Sequence, residues 1–454
     1  MNVACIGAGY VGSVTAAALA VLGHAVTIID IDEMKLDNIR NGKSPIYEPG
    51  LEELIRKTAG QTLSVDTQYE SVGGADVVFI CVGTPSKADM SADLTFVKAA
   101  AARIGKHLNP ERYTLIVMKS TVPVGTTDMV TSILEEVSGL QAGLQFETVS
   151  NPEFLREGYA VEDVFYPDRI VVGSESVKAE AVMKALYLSM LTRDVYESLR
   201  ELLPPVPEGR PEPVWLRTTP TSAELIKYAS NAFLAVKISY INEMARLCDR
   251  LGSDITEVAA GMGLDSRIGN KFLQVSSGWS GSCFPKDTAE LLATARKYDC
   301  DLQIVTAAVR ANHEMHIYCV KKVQSKLKSL QGKRIGVLGL TFKPNTDDAR
   351  KSQAEVIIRE LCELGSHVKA HDPHGAAMFR SLNPDLPVEY CDEPERLADK
   401  ADALILLTHW DCYLTLDWAN LIRKMRTPYV LDTRNALHRD EMLSFGYDYE
   451  GLGI

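Results

Sequence analysis

The sequence predicts an α/β fold: two parallel-sheet halves around a helical middle. Three observations carry this. Short apolar runs ending in polar residues alternate with helix-length segments through the first 175 or so residues. Residues 222–252 then contain no proline and place apolar residues at three- and four-residue spacing, up to Gly252. The strand–helix alternation restarts at residue 334.

Residues 2–6 (NVACI) read as a buried strand, followed by glycine-rich GAGYVG at 7–12, a helix closed by Gly23, and a second strand at 24–30. Further strands are expected at 75–82, 113–121, 144–153 and 168–173, with helix from about 176. Residues 192–220 carry six prolines and read as an exposed loop or insertion. The 222–252 helix is long enough to connect domains or to form a dimer face. Beyond it, RIGVLGL from 334, a helix at 352–364 and strands at 366–373, 401–408 and 429–433 repeat the β-α-β grammar. The expected domains are 1–190, 191–330 and 331–454, with two Rossmann-like parallel-sheet domains joined by the long central helix.

The 454 residues include 46% apolar and 24% charged side chains, which excludes a disordered or collagen-like chain. A net charge of −12 sets nucleic acid aside as the main ligand but leaves room for a local anion pocket. Nine cysteines without CxxC spacing read as reduced thiols of a cytoplasmic protein. The first 29 residues lack Asp, Glu, Lys and Arg, yet no charged leader region precedes them and Gly7, Gly9 and Gly12 interrupt the run. They fit a cofactor-binding turn better than a signal or a membrane span.

In that turn Gly7 permits the bend, Gly9 admits a pyrophosphate and Gly12 allows close helix–strand packing. Asp30 closes the next strand, placed for a ribose diol, which favours NAD over NADP. Cys283 lies among small residues in GWSGSCFPKD, with Lys286 and Asp287 close behind. The residues alone leave it open as a nucleophile or as a small core side chain. Lys227 and Asn231 share one helix face with Glu224 and Ala235, reading either as oxyanion donors or as a solvated face. NPEFLREG offers Glu153 and Glu157 as acid/base candidates, or a turn with a capped helix. KSTVPVG ends a strand at Ser120 and Thr121, which fit contacts to cofactor or water or plain strand termination. His313–His316 is HExH rather than HExxH, and His371 and His374 flank a turn, so no metal is expected.

Taken in order, GAGYVG, SPIYEPGLE (44–52), VGTP (82–85), KSTVP, NPEFLREG, PDRIVVG, SAELIKYASNAFLAVKISYINE, RIGNKFL, GSCFPKD and GLTFKPNTDDAR span nearly the whole chain. With them the chain resembles the UDP-glucose/GDP-mannose dehydrogenase family. The resemblance implies a two-step, four-electron oxidation of a sugar C6 alcohol to a carboxylate, with NAD as cofactor and no metal. It favours UDP-glucose giving UDP-glucuronate, a precursor for polysaccharide or glycolipid synthesis. Relatives acting on dTDP-glucose, UDP-N-acetylmannosamine or GDP-mannose are the alternatives. A silent NAD-binding scaffold would not need Cys283, Lys227, Asn231 and Asp287. A one-step alcohol dehydrogenase would leave Cys283 without work.

Carried over by motif, the resemblance makes Cys283 the nucleophile of a thiohemiacetal and a thioester, with Lys227 and Asn231 as oxyanion donors. Asp287 and Thr121 position the hydrolytic water, Glu153 acts in acid/base chemistry and Glu157 lies near the nicotinamide. It assigns the cofactor to Gly7, Gly9, Tyr10, Val11, Gly12, Asp30, Lys35, Thr84, Thr121, Glu157 and Arg350. It assigns the nucleotide sugar to Glu153, Phe154, Leu155, Arg156, Lys227, Asn231, Phe272, Gly278, Phe342, Lys343 and Arg434, with Arg267 lent to a neighbouring subunit. A homodimer or higher homo-oligomer follows, with no nucleic acid or membrane as partner. Two departures stand out. Ser280 occupies a place where the family commonly has glycine, and would be strained there at positive φ. The 192–220 stretch is longer than the family usually carries.

Overall fold

The computed structural model describes residues 1–454. The chain divides into two compact units, Met1–Ala229 and Ser230–Ile454, and the division falls within one continuous helix, Pro220–Leu251.

The first unit is built on eight strands: β1 Asn2–Ile6, β2 Ala25–Ile29, β3 Leu63–Asp66, β4 Val77–Ile80, β5 Thr114–Met118, β6 Phe146–Ser150, β7 Arg169–Gly173 and β8 Val214–Thr218. Their spatial order is β3-β2-β1-β4-β5-β6-β7-β8. The first six places reproduce the doubly wound dinucleotide-binding order, whose ligand crevice opens beyond the ends of β1 and β4. Alternate residues of β1 feed opposite faces: Val3 and Cys5 join one buried cluster, Ala4 and Ile6 another. Both faces are covered, so the strands read as continuous apolar runs.

The second unit has six strands: β9 Arg334–Leu338, β10 His367–His371, β11 Val388–Tyr390, β12 Ala403–Leu406, β13 Tyr429–Asp432 and β14 Asp448–Glu450. Their order, β11-β10-β9-β12-β13-β14, repeats the first unit's pattern with every pair parallel. No helix of the chain is long and apolar enough to cross a membrane.

Two expectations need correction. The first sheet is not wholly parallel: β6 and β7 meet antiparallel, at Ser150 and Gly173 alone. The proline-rich 192–220 stretch is not all loop. Five of its prolines precede β8 and the sixth, Pro220, opens the long helix; between them Val214–Thr218 adds β8 beside β7 as an edge strand. Proline is excluded from ladder positions but tolerated at an edge and its approaches. Trp215 Nε1 donates to Glu180 at 3.1 Å, and the Arg217 guanidinium pairs with the same carboxylate at 3.1 Å.

The long helix is fastened to the first unit through Glu224, which is 3% exposed. Its carboxylate accepts the N–H groups of Gly125 (2.7 Å) and Thr127 (2.8 Å) and the Thr127 hydroxyl (2.6 Å), at the start of helix Thr126–Ser138. Those amides have no partner within their own helix. Glu224→Ala would strand them in a dry place, at a cost of about 2 kcal/mol. It is expected to lower the thermal midpoint of the first unit; an unchanged melting curve contradicts this anchoring role.

Candidate active site

In the first unit, Gly7–Gly12 leave β1 and open helix Tyr10–Val21. Gly7 has φ +109°, and a Cβ on Gly12 would sit 1.9 Å from the Gly7 carbonyl oxygen. A Cβ on Gly9 would meet nothing within 4 Å, so the backbone there is open to an approaching ligand. The cradle fits a dinucleotide pyrophosphate. Asp30 follows β2; its carboxylate accepts Ala8 N–H at 2.5 Å and Asp32 N–H at 2.9 Å. Each oxygen retains a second lone pair, so a ribose diol can still donate to it. Lys35 lies on the next helix, 3.6 Å from Asp32. Thr84 Oγ1 donates to the Thr121 carbonyl at 2.8 Å, which ties the ends of β4 and β5 together at the crevice.

Glu153, Phe154, Leu155, Arg156 and Glu157 follow β6. Glu153 is 8% exposed; its Oε1 lies 2.9 Å from Lys227 Nζ, and its Oε2 accepts Leu155 N–H at 2.5 Å. Burial pushes its carboxyl upward, but Lys227, the Leu155 amide and the Lys119 charge outweigh this and hold it below the ordinary glutamate range. Phe154 is stacked under Arg169, whose Cζ lies 3.8 Å from the ring centroid. Arg156 donates to Asp163 through Nε, Nη2 and its backbone N–H. Glu157 is buried, and Gly158 N–H points at both Tyr10 Oη and Glu48 Oε2, each at 2.6 Å. SPIYEPGLE thereby acquires a role: Glu48 also accepts Ala160 N–H at 2.7 Å, pinning the loop that carries Glu153 and Glu157.

In the second unit, Cys283 occupies the N-cap of helix Phe284–Lys297 and is exposed, with Ser282 Oγ 3.7 Å from its sulfur. A helix N-terminus favours negative charge placed there. One turn on, Asp287 is 1% exposed, and its backbone N–H donates to the Cys283 carbonyl at 2.9 Å. Its carboxylate takes Asn231 Nδ2 on one oxygen and Lys286 Nζ on the other, each at 2.6 Å. Asn231, one turn past Lys227 on the long helix, thus gives one of its two Nδ2 protons to Asp287.

The loop before Cys283 is tightly held. Asn312 accepts Trp279 N–H at 2.7 Å and donates to the Trp279 carbonyl at 2.8 Å. Trp279 Nε1 reaches Ser239 on the long helix at 2.9 Å. Gly278 has φ +126°, and a Cβ there would lie 2.5 Å from His316 Nε2. His316 is buried, which pushes its imidazole down to about 4. Ser280 is not at positive φ, so the anticipated strain does not arise. Its hydroxyl donates to Gln353 Oε1 instead. Phe342 packs on Gly281, where a Cβ would meet its ring at 2.8 Å, and the Lys343 ammonium lies 5.4 Å from the same ring. Arg434 donates to the Leu407 carbonyl (2.7 Å) and the Phe342 carbonyl (3.2 Å). Phe272, at φ +64°, sets its ring edge-on to Phe284. Arg350 is clamped by Asp348, and Arg267 by Asp265 with its side chain 87% exposed.

Sequence reasoning passed over Lys119, Glu48 and Gln353. The first two stand inside motifs already singled out; Gln353 carries no sequence signal.

Three family models match in succession: the NAD binding, central and UDP binding domains of the UDP-glucose/GDP-mannose dehydrogenase family, over residues 1–191, 221–314 and 336–439. The UDP-glucose 6-dehydrogenase YwqF of Bacillus subtilis is 42% identical, covering 100% of this chain and 98% of its own. That of Rhizobium meliloti is 41% identical, covering 100% and 99%. Among solved structures, a UDP-glucose dehydrogenase from Pyrobaculum islandicum matches with TM-score 0.87 and 38% identity, covering 100% of this chain and 97% of that one. A UDP-D-ManNAc dehydrogenase from Pyrococcus horikoshii gives 0.84 and 25%, covering 100% and 99%.

Lys227→Met leaves the burial of Glu153 opposed only by weaker partners, so its carboxyl rises and less of it is ionised at a given pH. The acid limb of the pH–rate profile is expected to move to higher pH. A limb that stays in place contradicts the electrostatic role of the pair.

Proposed function

This chain belongs to the UDP-glucose/GDP-mannose dehydrogenase family, and on that premise we propose that it oxidises the C6 hydroxyl of UDP-glucose to the carboxylate of UDP-glucuronate. The observation that carries the reading is the exposed Cys283 thiol, one helical turn ahead of a buried Asp287 held by Asn231 and Lys286. A one-step alcohol dehydrogenase has no use for that arrangement; an aldehyde oxidised through a thioester does.

NAD, the cofactor, supplies the hydride acceptor for both oxidations. Glu153, ionised beside Lys227, takes the hydroxyl proton through a water. Lys227 and Asn231 donate to the oxygen as negative charge develops on it. Cys283 Sγ forms a bond to the aldehyde carbon, giving a thiohemiacetal, and the second oxidation leaves a thioester. Asp287 and Thr121 orient a water that attacks the acyl carbon. The C–S bond breaks, the thiol is restored and the carboxylate leaves. Gly7–Gly12, Asp30, Lys35, Thr84, Glu157 and Arg350 serve the cofactor in this reading. Phe154, Leu155, Arg156, Phe272, Gly278, Phe342, Lys343 and Arg434 serve the nucleotide sugar.

The protein in this reading is a cytoplasmic homodimer, with residues 191–330 as its dimerisation and catalytic region. The long helix supports the dimer: Phe233, Tyr240, Leu247 and Leu251 recur at sevens and a four along it, each 46% exposed or more. Contiguous exposed apolar surface of this kind marks an interface. Arg267 is free of the core and projects toward solvent, fit to reach a neighbouring copy.

At completion, about two NADH should form per UDP-glucose consumed; about one would remove the thioester route. Cys283→Ser should lower turnover by roughly three orders of magnitude, and full turnover would sink the covalent mechanism. No NADH from UDP-glucose, with turnover of another nucleotide sugar, would move the substrate within the family. Phe233→Asp should shift sedimentation from dimer to monomer; an unchanged species places the interface elsewhere.

A further inference from the structure

Glu153, the acid/base group of the proposed reaction, is buried, and a cavity of the first unit includes it in its lining. The cavity measures about 70 Å³, and its lining includes Glu153, Lys119 and Asp168. The Asp168 side chain is 57% exposed, so the lining reaches solvent there. A water needs roughly 10–15 Å³ of such space, so several fit. The lining is polar enough to keep them, and Thr15, whose buried Oγ1 has no protein partner, is part of it.

Lys119 lines the same cavity as Glu153, and its charge acts on that carboxylate. It stands one residue past β5, 9% exposed, with Nζ 2.9 Å from Asn151 Oδ1 and 3.3 Å from Tyr187 Oη. Tyr187 Oη donates to the same Asn151 oxygen at 2.7 Å, and Asn151 Nδ2 is spent on the Val171 carbonyl. The Asn151 oxygen is thus fixed as an acceptor, and Asn151 and Tyr187 take up two of the three Nζ protons of a lysine that lines the cavity. The titratable groups around Lys119 are Cys5 of β1, Cys81 beyond β4, Glu153, Tyr187 and Lys227. Burial raises both thiols, and Tyr187 rises for the same reason, so none of the three releases protons near neutrality. Burial also pulls the Lys119 ammonium down, to about 8. Asp163 also lines the cavity, but Arg156 saturates it.

We propose that this hydrated cavity is the proton exit of the active site, with Lys119 as the relay between Glu153 and solvent. Glu153 receives a proton from the reacting hydroxyl or water. Lys119 gives an N–H proton to a cavity water that passes it outward, and the resulting amine takes up the Glu153 proton. The N–H bond lost is re-formed, no electrons change hands, and the carboxylate is restored for the next step. The proposal rests on Glu153 being the acid/base group.

The test compares Lys119→Met, Thr15→Val and Glu153→Gln on the nucleotide sugar turned over fastest, reading kcat, KM and the solvent deuterium isotope effect. Lys119→Met is expected to lower kcat by roughly 100-fold with KM unchanged. In Lys119→Ala, added methylamine should restore part of the rate, which a merely structural lysine would not allow. Thr15→Val should slow turnover less and raise the isotope effect. If the methionine variant does not fold, Lys119→Arg keeps the charge without a releasable proton and should be slow as well. Wild-type kcat and isotope effect in the Lys119 and Thr15 variants, beside a slow Glu153→Gln, overturn the relay alone. Wild-type turnover by Glu153→Gln overturns the acid/base reading and the relay with it.

Discussion

A carboxylate taken out of water must be compensated where it stands, and the ionised Glu153 sets that demand on the first unit. Its compensation comes from three places: Lys227 on the long helix, the Leu155 amide of its own loop and the Lys119 charge beyond β5. Removing one partner of a buried pair costs about 3–5 kcal/mol. An exposed pair such as Arg200–Glu197 is worth about 0–1 kcal/mol. That difference explains why the long helix is fastened so firmly just before Lys227. Glu224, one turn earlier, ties the same helix to Gly125 and Thr127, so the position of the ammonium is fixed by backbone amides rather than by its own flexible stem.

The second unit solves a related problem with neutral groups. Its thiol must be exposed yet must not wander. The loop from Ser276 to Gly281 is tied or crowded at four places: Ser276 N–H to Asn242, Trp279 to Asn312 and Ser239, Ser280 to Gln353, Gly281 under Phe342. The resulting loop delivers Cys283 to a helix start with Asp287 one turn inside.

Most of the fold was legible because doubly wound sheets bury both faces, which makes strands read as apolar runs. What escaped was structure without that signature. β8 is an exposed edge strand inside a proline-rich stretch, and the β6–β7 contact is a single pair that leaves no pattern. The site was legible where chemistry demands rare residues in close spacing, as at Gly7–Gly12 and around Cys283. The pairings of Glu153 with Lys227 and of Ser280 with Gln353 join residues more than seventy positions apart, and periodicity carries no information over such distances. Ser280 shows the limit of reasoning by analogy: the strain expected of it required a backbone conformation that the loop does not adopt.

Gln353 and Phe342 have a consequence for which end of a substrate matters. Both belong to the segment matching the UDP binding domain, and both bear directly on the loop that carries the thiol. A nucleotide sugar held on that segment, as proposed, would bear on the footing of Cys283. The nucleotide of a nucleotide sugar would then be more than a handle: part of its affinity would go into orienting the sulfur. A sugar phosphate stripped of its base would fit the reacting end equally well and still react slowly, losing turnover rather than only occupancy.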